Sequence, residues 1–277
     1  MTLIALLAAA AVVQPGVIST DKNEYNLTRS TDGAVQVFAR SEADFQKTQV
    51  LVIERGQPPA PIAFSTPETG DSDPQVSADG QSLLFISKRP LPDRPEGKDL
   101  NIWRSRRTAD GWSAPEPVAG VNSPGAELGP ELHGDVLTFN SSRPGGLGKL
   151  DIWSARRTPG GFETPAPLPA PLNSPASEGD FTLSPDGRVA LFWSDRPGGL
   201  GEGDIWLSVR QGGGWSEPVN LGAPVNSEAF DFGPAFSADG RTLTFASLRK
   251  RDGANQLSDV YEIPVSEVPV LAKALGR

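Results

Sequence analysis

One unit of roughly fifty residues, written five times, leaves this 277-residue chain few folds to choose from. The clearest copy spans residues 178–221 and is anchored on Asp186 of a Ser-Pro-Asp-Gly turn. Matching anchors are Asp32, Asp79 and Asp239, with Asp135 in a copy that lacks two residues just after it. Eight positions before each anchor stands an acid: Glu24, Asp71, Glu127, Glu178 or Asp231. A phenylalanine follows each anchor (Phe38, Phe85, Phe139, Phe192, Phe245), then in four copies a basic residue, Arg89, Arg143, Arg196 or Arg249. An Asp/Asn-Ile/Val-aromatic triplet comes next, as in Asp204-Ile205-Trp206. The first copy is the most divergent: Arg40 comes two places early and the Arg-Pro-Gly-Gly loop is gone.

Each unit carries four strand signals. Pro185-Asp186-Gly187 is turn chemistry, because glycine supplies positive φ and aspartate bonds its own backbone. Val189–Trp193 is a short apolar run suited to a buried strand, and Asp204–Val209 is another. Trp215–Leu221 contains Pro218 and reads as an edge strand. Four strands per repeat predict an all-β fold, a β-propeller of five four-stranded blades, or six if both termini contribute to one more. The blades are expected over about 24–66, 71–118, 127–168, 178–221 and 231–266, with 267–277 a C-terminal tail, frayed from Ala272 to Arg277. Val13–Ile18 resembles the fourth-strand segments and is expected to close the ring, with 267–271 as the competing closure.

The pattern acid-x-x-Pro-x-x-Ser-x-Asp-Gly, then Phe-x-Ser-x-Arg-Pro-Gly-Gly and Asp-Ile-Trp, resembles the TolB-type, WD-like propeller repeat of bacterial envelope proteins. It covers roughly residues 14–265. The resemblance implies a binding platform, a scaffold, or a propeller accessory to a peptidase, and a place in the periplasm or cell envelope.

Composition narrows the partners. A net charge of −9, with the basic residues spread one or two per repeat, argues against nucleic acid. With no cysteine and one histidine, thiol chemistry is excluded and zinc is disfavoured. Met1–Val13 is apolar and alanine-rich, like the core and cleavage zone of a secretory signal, and is too short to span a bilayer. The mature chain is expected to have no membrane span and to be monomeric.

Strand alternation puts the acids, the arginines and the third-strand aspartates on one face. Two readings of the acid ring Glu24, Asp71, Glu127, Glu178 and Asp231 follow. Either each acid pairs with a repeat arginine, or the ring surrounds the channel mouth and holds a cation, for which Ca²⁺ would suit oxygen ligands; no other cofactor is indicated. Arg89, Arg143, Arg196 and Arg249 are candidates for a docking surface toward an envelope protein or glycan. Trp193, found in one repeat only, is a ligand candidate, whereas Trp103, Trp153 and Trp206 recur and read as packing. The function expected is a non-enzymatic, exported binding or scaffold module. The alternative is a carboxylate-based glycoside-acting enzyme, with Glu127, Glu178 and Asp231 as candidates.

Overall fold

A computed structural model describes residues 9–250 and 256–277. The repeats fold into five antiparallel sheets arranged as a five-bladed propeller. The innermost strands are Asn23–Arg29, Ser72–Val76, Glu127–His133, Glu178–Leu183 and Asp231–Phe236. Each pairs with a second strand, then a third, then a two-residue outer strand. The Ser-x-Asp-Gly turns form as the sequence dictates: Asp186 Oδ1 accepts from Ser184 Oγ at 2.6 Å and from Arg188 N at 3.1 Å.

The core lies in the seams between blades. Phe38, Phe85, Phe139, Phe192 and Phe245 are at most 1% exposed. Each packs with apolar residues of an adjacent blade, as Phe85 and Trp103 do with Val37 and Val50. Trp103, Trp153 and Trp206 are buried in these seams. Asparagines of the blade connections stitch neighbours together: Asn173 accepts from Ile152 N and donates to Ile152 O, at 2.8 and 2.9 Å.

The N-terminus closes the ring. The outer strand of the fifth blade is Ala11–Val12, paired with Glu262 and Tyr261 of Asp259–Pro264. The closing segment thus lies just before the expected Val13–Ile18, and Val13 N donates to Val260 O at 2.8 Å. The frayed tail is corrected. Pro269–Leu275 is a helix with proline in its first turn and Gly276 in the left-handed conformation at its C-cap. Leu271 is fully buried against the fourth and fifth blades, and Arg277 binds the carbonyls of Asp239 and Gly240. Among the described residues no helix is long and apolar enough to cross a membrane.

Candidate functional site

The repeated acids and arginines find each other. Glu24, Asp71, Glu127, Glu178 and Asp231 are all 0% exposed, and each carries an ion pair to Arg40, Arg89, Arg143, Arg196 or Arg249 of its own blade. In the fourth blade Arg196 donates to Glu178 at 3.0 Å and to Leu172 O at 2.6 Å, over the rings of Phe192 and Trp206. Ser174 and Ser194 occupy further positions on the same carboxylate. These carboxylates are therefore clamps beneath the loops, and the guanidiniums are spent inside the blades, not presented as a docking surface. The third-strand aspartates cap loop amides, as Asp151 does for Leu147 N at 2.9 Å.

What the repeat does not conserve lies at the axis. Every innermost strand carries a bulge beginning just after its acid. The residue two places after the acid is left-handed in all five: Asn26, Asp73, Gly129, Asp180 and Gly233, with φ between 48° and 58°. That conformation restricts the choice to Gly, Asn and Asp, which are the types found. Glycine satisfies it in the third and fifth blades, so the conformation alone does not require charge in the second and fourth.

These five residues meet in a throat of about 40 Å³, together with Glu131. Asp73 Oδ2 accepts from Gly129 N at 2.9 Å, and Asp180 Oδ2 accepts from Gly233 N at 3.0 Å. Asp180 N in turn donates to Asn140 Oδ1 at 2.9 Å. A β-carbon on Gly129 would stand 2.6 Å from Asp180 Oδ1, and one on Gly233 would stand 2.3 Å from Asn26 Oδ1, so glycine is required for these close approaches. The Asn26 Oδ1 atom is itself buried without a partner. Both aspartates line the throat and are half-buried, their carboxyls crowded by the neighbouring strands. Loss of solvent, with the charge of nearby Asp73, pushes the Asp180 carboxyl up to about 7, and burial also raises Asp73. Glu131, half-buried and bonded to Thr182 Oγ1 at 2.7 Å, is pushed up to about 8 by its partial loss of solvent. His133, at the end of the third innermost strand, packs edge-on against Phe181, and partial burial lowers it to about 4.

Above the throat, on the face of the blade connections, opens a funnel of about 620 Å³ with Asp73 and Asp180 at its base. An aromatic arc forms part of its wall. Phe45 contacts Tyr25 (centroids 5.5 Å apart), Tyr25 contacts Phe232 (5.9 Å), Phe232 stacks on Phe230 (5.0 Å), and Phe230 meets Trp193 edge-on (5.0 Å). Trp193 is the sequence candidate that the structure brings to this site. The rest of the wall mixes polar Ser72, Lys88 and Asn140 with apolar Ile86, Leu100 and Leu128. On the far side of the throat a wider bowl of about 1010 Å³ reaches Glu131 and His133. The sequence signal for this site is the failure of the repeat to repeat at three places. These are the residue after the acid (Tyr25, Ser72, Leu128, Gly179, Phe232), the next one, and the residue after the phenylalanine (Ala39, Ile86, Asn140, Trp193, Ala246).

No protein-family model matches the chain, and no curated protein matches it. Solved structures do. A putative TolB from Agrobacterium tumefaciens is 20% identical, with a TM-score of 0.56, over 88% of this chain and 78% of that one. A thermostable family-43 glycoside hydrolase superposes with a TM-score of 0.57 at 8% identity, covering 92% of each chain. An α-L-arabinofuranosidase from Lactobacillus brevis gives 0.52 at 12% identity, over 91% of this chain and 92% of that one. At these identities the likeness shows the shared propeller fold. The expectation of a non-enzymatic chain is corrected to this extent: glycoside hydrolases stand beside TolB among the structural neighbours, so this fold gives no ground for setting catalysis aside.

Proposed function

We propose that this chain is a glycoside-cleaving hydrolase whose reacting carboxyls are Asp73 and Asp180. The observation that carries the proposal is the pair itself: two aspartates that break the repeat, enclosed together at the base of an aromatic-walled funnel. A glycosidase needs one carboxyl that keeps its proton near neutrality and a second that is ionised. Two half-buried carboxyls that repel each other's charge supply that division, and they titrate as a pair. Asp180 donates its proton to the leaving glycosidic oxygen as the C–O bond breaks. Ionised Asp73 stabilises the positive charge developing at the anomeric carbon. Water completes the reaction, its hydroxyl bonding to that carbon and its proton restoring Asp180. The aromatic arc offers flat faces for sugar rings, and the enclosing blades exclude bulk water. Glu127, Glu178 and Asp231 have no part in this reading, because arginines and hydroxyls occupy them. The two glycoside hydrolases matched over nearly their whole length support the assignment of reaction class.

A panel of aryl arabinofuranosides, xylosides and hexosides tests it. Turnover of at least one is expected, falling about 10²–10⁴-fold in Asp73→Asn and in Asp180→Asn, each with an unchanged circular dichroism spectrum. No turnover across the panel, or turnover indifferent to both substitutions, overturns it. We place the chain outside the cytoplasm, as the alanine-rich start suggests, with cleavage before Ala11 so that the closing strand survives. N-terminal sequencing of the protein recovered from the periplasm is expected to begin no later than Ala11, and recovery only from the cytoplasm with Met1 intact counts against export.

A further inference from the structure

We propose that the funnel takes a glycan bearing a carboxylate, a uronic acid residue, and that Lys47 and Lys88 receive that carboxylate. This rests on the glycoside-cleaving reading and names its substrate class. Both lysines line the funnel. Neither stands at a position that the repeat prescribes as basic. Lys88 occupies the place held in the later repeats by Ser142, Asp195 and Leu248, just before the clamp arginine. Lys47 sits in the loop that replaces Arg-Pro-Gly-Gly in the first blade.

That loop is built to hold its shape. Phe45 and Lys47 are both left-handed, with φ of 58° and 53°, a conformation that side chains other than Gly, Asn and Asp adopt at a cost. It is fixed by Phe45 N to Glu42 O and Glu42 N to Gln46 O, each 3.0 Å, and by Gln46 N to Asp44 Oδ1 at 3.1 Å. The result sets Phe45 on Tyr25 at the end of the aromatic arc and Lys47 two residues further along the same loop. In the adjacent blade the stem of Lys88 lies over Gly70, whose missing side chain leaves room for it: a β-carbon there would stand 3.3 Å from Lys88 Cδ.

The clamp arginines on this face are neutralised by their own acids, and so is Lys22, by Glu42 at 2.7 Å. Lys47 and Lys88 form no ion pair among the described residues. Glu68 also lines the funnel and feels the charge of Lys47, but it is engaged with Thr66. Two ammonium groups and one exposed carboxylate therefore line the funnel beside its aromatic arc. An ammonium recognises an anion as a point charge, and the aromatic arc is left for the sugar's apolar face. A neutral sugar gives the two lysines nothing to neutralise; a uronate does.

Calorimetric titration with a galacturonate trisaccharide and with the corresponding galactose trisaccharide, at low and at physiological salt, tests the inference without requiring turnover. The uronate is expected to bind at least tenfold tighter, with the difference shrinking as salt rises. Lys47→Gln and Lys88→Gln are each expected to lose severalfold, and the double variant to lose the preference altogether; Lys22→Gln serves as a control and changes nothing. Equal binding of the two sugars, binding of neither, or a preference intact in the double variant overturns the inference. Uronate binding without cleavage of any glycoside sinks the hydrolase reading alone. Cleavage of neutral glycosides with no uronate preference sinks this inference alone.

Discussion

At the scale of the residue, the chain uses the same charges in two opposite ways. Glu178 is fully buried and held by Arg196, Ser174 and Ser194. Removing one partner of a buried ion pair leaves a charge without compensation, which costs about 3–5 kcal/mol. Arg196→Met is therefore expected to lower unfolding free energy in urea by that amount, and Glu178→Gln added to it to recover much of the loss. A single variant as stable as the parent would show the pair to be ornamental. The pairing of acids with arginines was legible in the sequence, because both recur at fixed spacing. Asp73 and Asp180 were not, since comparing repeats rewards constancy and these residues vary. Their signal was the restricted alphabet Asn, Asp, Gly, Asp, Gly two places after each acid, whose physical cause is a left-handed bulge that spacing alone does not reveal. Trp193 was found by the complementary logic, as a residue peculiar to one repeat, and it does line the funnel.

Elements were read better than their ends. The four strands per blade follow from turn chemistry and apolar runs, and they stand in the sheets as expected. The helix Pro269–Leu275 escaped because seven residues make two turns, too few for a helical period to register. Closure of the ring was assigned to the N-terminus on the likeness of Val13–Ile18 to outer strands, but the pairing residues are Ala11 and Val12, which fall inside the stretch that looks like a leader. The short strand matters beyond its length. It covers the edge of Asp259–Pro264 and helps seat Val13, which is 3% exposed among Ile18, Leu27 and Phe38. Burying one such valine is worth about 1.5–3 kcal/mol. Deleting residues 1–13 is expected to destabilise the propeller by at least about 2 kcal/mol and to leave an open edge that invites association. Thermal melting with light scattering checks both, and an unchanged melting temperature with no rise in particle size would assign closure elsewhere.

The whole molecule converges on its axis, where five bulged strands bring Asp73, Asp180 and Glu131 into one enclosed throat. No single blade creates that environment; it exists only when the ring is complete, so its electrostatics report on folding itself. Asp180 rises from an ordinary 3.8 to about 7, and Glu131 from 4.5 to about 8. The native protein therefore binds more protons than the unfolded chain from about pH 4 to pH 8, and stability falls as pH rises through that window. His133 opposes this below its ordinary 6.5, because its neutral form is favoured down to about 4 and stability is lost there as pH falls. Above pH 6.5 the histidine is neutral in the native state and fades to neutral in the unfolded chain, so the two carboxyls dominate the slope up to pH 8. The integrated loss over that interval is on the order of 2 kcal/mol. Urea unfolding at pH 6.5 and at pH 8 is expected to show this decline in the parent. Asp180→Asn and Glu131→Gln should each flatten it, since an amide keeps an acceptor and carries no charge into the throat. A decline that survives both substitutions would place its source outside the axis. Stability that rises over the interval would mean that the aspartates ionise freely, and with that the shared proton on which the proposed chemistry depends would be gone.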